Sequence, residues 1–228
     1  MSIFIVAFLA AALLFLASSS LAEEHKEGAH VPQNPNSVDS ALKALKDGNS
    51  RFASGQATNP RSGKDLMAKL ARDGQTPLAA VLSCSDSRAP VEKIFDQGIG
   101  DLFVIRAAGA VPGVDQVGSL EYAVAHLGVP IILVLAHTKC GAVTASVTGA
   151  HEPGALGELL AKLNPVAKAV ESLQESSRLE AAIKMSASMF REQLTMVSPT
   201  INEAVKAGRL KVISGVYDID TGVVAFNE

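Results

Sequence analysis

Two cysteines, a histidine and an adjacent acid–base pair mark where this chain could do chemistry. Cys84 opens "CSDSR", with Asp86 and Arg88 close behind it. His137 and Cys140 share the short stretch "HTKCGA". Two thiolates and an imidazole form a soft donor set suited to zinc. Three protein ligands leave a fourth position open, which distinguishes catalytic zinc from structural zinc. Two thiolates and a neutral histidine cancel the charge of Zn²⁺, so the ion should be a weaker Lewis acid than one held by three histidines. It still lowers the pKa of bound water far below about 15.7 and yields a hydroxide nucleophile. Turnover is then expected to rise through mildly alkaline pH. The competing reading of two cysteines in an exported chain is one structural disulfide.

Asp86 and Arg88 sit two residues apart. A guanidinium facing a carboxylate holds it ionised and oriented through a bidentate pair. Such an aspartate has two uses beside zinc. It can accept a hydrogen bond from the bound hydroxide and aim its lone pair, or it can swing onto the metal as a fourth ligand and close the site. Elsewhere in a protein the same pair would be read as an ordinary loop salt bridge.

These residues must be positioned by regular elements. "SVDSALKALKDGNSRFASG" puts Val38, Ala41, Leu42 and Leu45 on one helical face, extended by Phe52. "SGKDLMAKLARDGQ" reads as a second short helix, with Ser62 and Asp65 at capping-box spacing and Gly74 at its end. Apolar runs then alternate with helical patterns: "PLAAVLSCSD", "PVEKIFDQG", "DLFVIRAAG", "GSLEYAVAHLG" and "PIILVLAHTKCGA". That alternation predicts an α/β fold with a central, mostly parallel sheet flanked by helices. A helical stretch follows over residues 154–197, and "RLKVISGVYDIDTGVVAF" closes the chain as strand, turn and short strand. Cys84 lies past the carboxyl end of one predicted strand, and His137 and Cys140 past that of another. Open α/β sheets bind ligands in the crevice outside those ends. "GIGDLF" lacks the third glycine of a dinucleotide fingerprint and precedes a strand, so it is not one.

The 228 residues suit one domain, and 48% hydrophobic content excludes a disordered chain. A net charge of −3 without a Lys/Arg cluster gives no sign of nucleic-acid binding. Residues 3–17 are almost uninterruptedly apolar and the small residues "SSSLA" follow, so residues 1–22 have the pattern of a secretory signal peptide cleaved after Ala22. The apolar run is shorter than the roughly 20 residues of a membrane-spanning helix, and no Lys or Arg precedes it. Residues 23–36 read as a flexible polar leader, and residues 37–228 as the catalytic domain. Export places the protein in the periplasm or outside the cell.

"CSDSR" followed by "HTKCGA" resembles the β-class carbonic anhydrases, as do "IFDQGIGDLFVIR", "GSLEYAVAHLG" and "GVYDIDTG". The resemblance runs from Ser37 to the C-terminus. It implies Zn²⁺ on Cys84, His137 and Cys140, with Asp86 and Arg88 as the catalytic orienting dyad. It implies reversible hydration of CO₂ to bicarbonate and a proton, with no organic cofactor. By position it suggests Gln75, Phe103 and Tyr122 as substrate-pocket residues. It implies a homodimer or dimer of dimers, with the early helices embracing the partner and the active site at the interface. Ala89, Ala136 and Ala110 depart from the family pattern near the site. Some members carry a tryptophan in a regulatory bicarbonate site where this chain has Val81, although Arg106 and Tyr217 remain. That substitution argues against this form of regulation. The rival functions are hydrolysis of CS₂ or COS on the same fold and a non-catalytic zinc or disulfide module. Among the other histidines, His25 and His30 fall in the leader, His151 in a loop, and His126 at a helix end, where a structural or surface role competes with a proton-shuttle role.

Overall fold

Ser37 sets the first boundary of the computed structural model, which describes residues 34–228. Its hydroxyl accepts from the backbone N–H of Ser40 at 3.1 Å, and the Ser40 hydroxyl accepts from the Ser37 N–H at 2.9 Å. This reciprocal cap starts helix α1, Val38–Ala53, whose buried face carries the expected Ala41, Leu42 and Leu45. Just before it, the Asn34 amide donates to the carbonyl of Pro77 at 2.8 Å. The signal-peptide reading and most of the leader lie outside the described residues.

Helix α2, Lys64–Asp73, corrects one expectation. Gly63 takes the N-cap position in extended conformation. Ser62 therefore falls one place before the cap and Asp65 at the second helical position, so the capping box cannot close. Gly74 ends the helix with φ +82°, as its type requires. None of the α2 residues is buried.

Strands and helices then alternate: β1 Ala79–Ser83, α3 Val91–Ile94, β2 Leu102–Arg106, a 3₁₀ turn Ala108–Ala110, α4 Val114–Leu127 and β3 Ile131–His137. Helices α5 Gly141–Val147, α6 Gly154–Ala161, α7 Asn164–Ala169, α8 Glu175–Val197 and α9 Pro199–Lys206 precede β4 Lys211–Tyr217 and β5 Val224–Asn227. The single helical stretch expected over residues 154–197 is three helices. Pro165, in the first turn of α7, has no N–H for a continuing ladder and favours a new helix start.

The sheet runs β2-β1-β3-β4-β5. Its first four strands are parallel, and β5 returns antiparallel to β4. The α/β expectation thus holds. Alternate residues of β3 feed two cores. Ile132, Val134 and Ala136 pack in one cluster with residues of α4, α5 and α8, while Ile131, Leu133 and Leu135 join α1 and α3 in the other. Both faces are covered, which explains the unbroken apolar run of β3. Ser83 pairs with Leu135, so the chain leaves β1 level with the end of β3. The two adjacent central strands therefore deliver Cys84 and His137 to one rim.

Candidate metal centre

The sulfurs of Cys84 and Cys140 and a ring nitrogen of His137 lie within 4.8 Å of one another. All three residues are buried, at 6%, 2% and 1% relative exposure respectively. Neither cysteine is in a disulfide. In a tetrahedral zinc site the ligand atoms are separated by roughly 3.5–3.8 Å, given metal–ligand lengths near 2.0–2.3 Å. The cluster is therefore on the scale of one ion.

His137 shows how the site is prepared. Its Nδ1 is 2.8 Å from the carbonyl of Thr138. A carbonyl only accepts, so Nδ1 carries the proton and Nε2 presents a lone pair. Nε2 is buried and has no hydrogen-bond partner among the described residues. An orphaned, buried ring nitrogen beside two sulfurs fits a soft divalent cation.

The thiols are prepared unequally. Cys84 is held well below the ordinary thiol pKa, chiefly by the Cys140 thiol, against the opposing effect of burial. His137 and the backbone N–H groups of Asp86 and Gly109 add to this, and Gly109 N donates to the Cys84 sulfur at 3.3 Å. Cys140 is pushed up, because ionised Cys84 and burial both disfavour a second negative charge. Burial works against a charged His137, yet the Cys84 sulfur, the Thr138 carbonyl and the charges of Cys84 and Asp86 raise its pKa. Without a cation the pocket already favours one thiolate; a bound divalent ion would replace the remaining protons.

Asp86 and Arg88 form the expected bidentate pair. Arg88 Nε donates to Asp86 Oδ1 at 2.9 Å and Nη2 to Oδ2 at 2.7 Å. The Arg88 backbone N–H also donates to Oδ1 at 2.9 Å. These bonds hold the Asp86 carboxyl well below the usual carboxylate range. Its Oδ2 stands 3.8 Å from His137 Nε2, so the carboxylate borders the ligand cluster. Arg88 Nη2 further reaches the carbonyl of Lys139 at 3.2 Å, linking the two ligand loops.

Three contributors were not assigned to this centre from sequence. Arg106, at the end of β2, donates from Nε to the carbonyl of Cys84 at 3.0 Å and from Nη2 to that of Asp86. Its signal was an arginine closing an apolar strand. Gly109 supplies the N–H at Cys84 from left-handed backbone, φ +67°. Lys139 also adopts a left-handed φ of +57°, which bends the chain between His137 and Cys140.

The suggested pocket residues lie elsewhere within this one chain. Phe103 pairs with Ala80, four residues down the strand from Cys84. Its ring packs tilted against that of Tyr122, 6.1 Å between centroids, and Tyr122 packs likewise against His126 at 5.0 Å. Gln75 is exposed in the loop after α2. Ala89, Ala110 and Ala136 are buried, so each departure from the family pattern packs against the site loops or the core. A cavity of about 620 Å³ between α8 and the β4–β5 turn touches the ligand loop only at Thr138 and Lys139.

Comparison with known proteins agrees with this geometry. The carbonic anhydrase family model matches residues 79–224. Carbonic anhydrase 2 of Mycobacterium tuberculosis is 38% identical over 202 residues, covering 83% of this chain and 92% of the relative. The carbonic anhydrase of Mycolicibacterium smegmatis is 38% identical over 198 residues, covering 84% and 93%. The backbone also matches one of two tetrameric β-carbonic anhydrases from the filamentous ascomycete Sordaria macrospora, with a TM-score of 0.65 and 28% identity over 82% of this chain and 96% of that one. With a buried cysteine–histidine–cysteine cluster at the rim of a mostly parallel sheet, the chain belongs to the β-class carbonic anhydrases.

Proposed function

We propose that the chain reversibly hydrates CO₂ to bicarbonate and a proton, with Zn²⁺ held by Cys84, His137 and Cys140. The observation that carries this is the buried ligand cluster bordered by an aspartate whose two oxygens are tied to one arginine. Zinc, when bound, supplies the Lewis acidity that makes a water molecule a competent nucleophile near neutral pH.

The protein's own groups do the rest. Arg88 keeps Asp86 ionised, so Asp86 accepts a hydrogen bond and cannot donate one. Oδ2, the oxygen nearest His137 Nε2, accepts a hydrogen bond from the attacking oxygen and so turns its lone pair toward carbon. Both Asp86 oxygens are already engaged by Arg88, which favours this orienting role over ligation as a fourth ligand. Arg106 fixes the Cys84–Asp86 backbone, so that orientation is set before substrate arrives.

The active unit is a homodimer or a dimer of dimers. Tyr122 is 48% exposed, and α2 buries none of its residues in the single chain. A second copy packed there would bring its own ligand cluster against Gln75, Phe103 and Tyr122, making them the walls of a narrow, partly apolar substrate pocket. The Sordaria macrospora relatives, which are tetrameric, support assembly. Residues 1–22 act as a signal peptide removed on export, which leaves the mature enzyme in the periplasm or outside the cell. Its apolar run and small-residue ending support this reading.

Stopped-flow CO₂ hydration by purified protein, with metal analysis alongside, tests the reading. About one zinc per chain and rapid CO₂ turnover are expected. Faster turnover of COS or CS₂ than of CO₂ would move the activity to hydrolysis. A metal-free protein with Cys84 and Cys140 in a disulfide would refute the enzyme reading. Mass spectrometry of the mature N-terminus checks cleavage after Ala22.

A further inference from the structure

The motif "GVYDIDTG" near the C-terminus has no part in the chemistry above, yet it reaches the metal centre. Past Tyr217 the chain turns over residues 218–223. Asp218 N donates to the carbonyl of Val223 at 2.8 Å, and Gly222 N donates to that of Asp218 at 2.9 Å. The Asp218 carboxylate accepts from the N–H groups of Asp220 and Thr221, at 2.8 and 2.9 Å. Gly222 has a φ of +78°, and an added Cβ would meet the Phe52 ring at 3.2 Å. The Asn49 amide of α1 clamps the Gly222 carbonyl at 2.9 Å. Every one of these contacts stiffens the turn.

The end of β4 and this turn together hold Thr138 of the ligand loop by two atoms. Thr138 N donates to the carbonyl of Tyr217 at 2.9 Å. The Thr138 hydroxyl oxygen accepts from Ile219 N at 3.0 Å. The carbonyl of the same Thr138 accepts from His137 Nδ1. The neighbouring Lys139 Nζ–Asp220 pair, at 2.7 Å, leaves both side chains more than half exposed and contributes little alone.

We propose that Thr138 is a positioning residue of the metal centre, through which the β4–β5 turn fixes the tautomer and ring orientation of His137. The residue that offers this carbonyl is itself held at two points, its N–H by the Tyr217 carbonyl at the end of β4 and its hydroxyl by Ile219 of the turn. The inference rests on the reading of His137 as a zinc ligand. Groups that orient a metal-bound histidine typically alter metal affinity about 10- to 100-fold when removed.

The test uses the full chain loaded with Co²⁺ as a spectroscopic stand-in for zinc. Thr138→Val keeps the shape but removes the oxygen that accepts from Ile219, whereas Thr138→Ser keeps it. Expected for Thr138→Val are a shifted visible cobalt band, about tenfold faster zinc loss to a chelator, and a lower kcat at unchanged KM. Thr138→Ser should restore all three. Asp218→Ala loosens the turn without touching the ligand loop and should shift the cobalt band in the same direction, which keeps the test decisive should Thr138→Val not fold. A wild-type cobalt band and zinc-loss rate in Thr138→Val or in Asp218→Ala would overturn the proposal, as would a Thr138→Ser variant as impaired as Thr138→Val. A wild-type chain that bound no cobalt would overturn the zinc reading together with this one.

Discussion

Arg106 grips the main chain at Cys84: its Nε lies 3.0 Å from the Cys84 carbonyl, while Nη2 holds the carbonyl of Asp86. One guanidinium therefore fixes Cys84, of the candidate metal cluster, and Asp86 together. Arg106→Met should lower zinc affinity about tenfold, read by chelator competition, with a parallel loss of rate. Arg106→Lys should recover part of that, because one ammonium cannot span both carbonyls with the geometry of a planar fork. Wild-type zinc affinity in Arg106→Met would show that the two carbonyls need no clamp.

The roles of Cys84 and Asp86 separate by metal content. Cys84→Ser should lose zinc and activity together. Asp86→Asn should keep close to one zinc per chain while kcat falls on the order of 10²-fold, since the amide can donate where the carboxylate only accepted. Full activity in Asp86→Asn would remove the orienting role.

Asp96 gives a stability prediction with a definite sign. Its side chain is 1% exposed. It accepts from Arg51 Nε at 2.6 Å and from the N–H groups of Thr58 and Asn59 at 3.0 and 2.7 Å. Burial alone would raise its pKa, but these donors hold it well below the usual carboxylate range. A depressed folded-state pKa adds stability above the unfolded value, about 4, which is lost as pH falls below it. Thermal melts should therefore show wild-type stability dropping below about pH 4, and Asp96→Asn should be destabilised at pH 7 by about 3 kcal/mol with a flatter acid limb. Equal melting curves at pH 7 would contradict this.

Gly48 is where α1 lies against the loop after α3. An added Cβ would sit 1.8 Å from the Phe95 carbonyl oxygen, so the helix would have to lift. Gly48→Ala gains about 1 kcal/mol of helix propensity and loses more to overpacking. The expected net loss is about 2 kcal/mol, a Tm lower by about 5 °C in calorimetry. A raised Tm would mean that the helix–loop contact yields easily.

The cluster of Cys84, His137 and Cys140 was legible because its signals are local. His137 and Cys140 share one turn, and the apolar runs before Cys84 and His137 announce adjacent buried strands. The sheet was legible for the same reason, since β3 is apolar from Ile131 to Ala136 and can only be covered on both faces. Ser62 misled because the extended backbone of Gly63 moves the start of α2 by one residue, which a spacing rule does not see. The helical run over residues 154–197 hid its breaks because its apolar content continues across Pro165. Thr138 was invisible in principle. Its partners, Tyr217 and Ile219, lie about 80 residues later, and only the β3–β4 register brings them alongside.

The placement of the candidate ligands at the ends of β1 and β3 has a thermodynamic consequence. Neither strand is at an edge of the sheet, and neither frays before the domain as a whole opens. Dissociation of the ion from a folded chain and collapse of the chain itself are thus linked equilibria. Above the dissociation constant, each tenfold rise in free zinc should add about 1.4 kcal/mol to the unfolding free energy, so metal supply would set how long the protein survives as well as how fast it works.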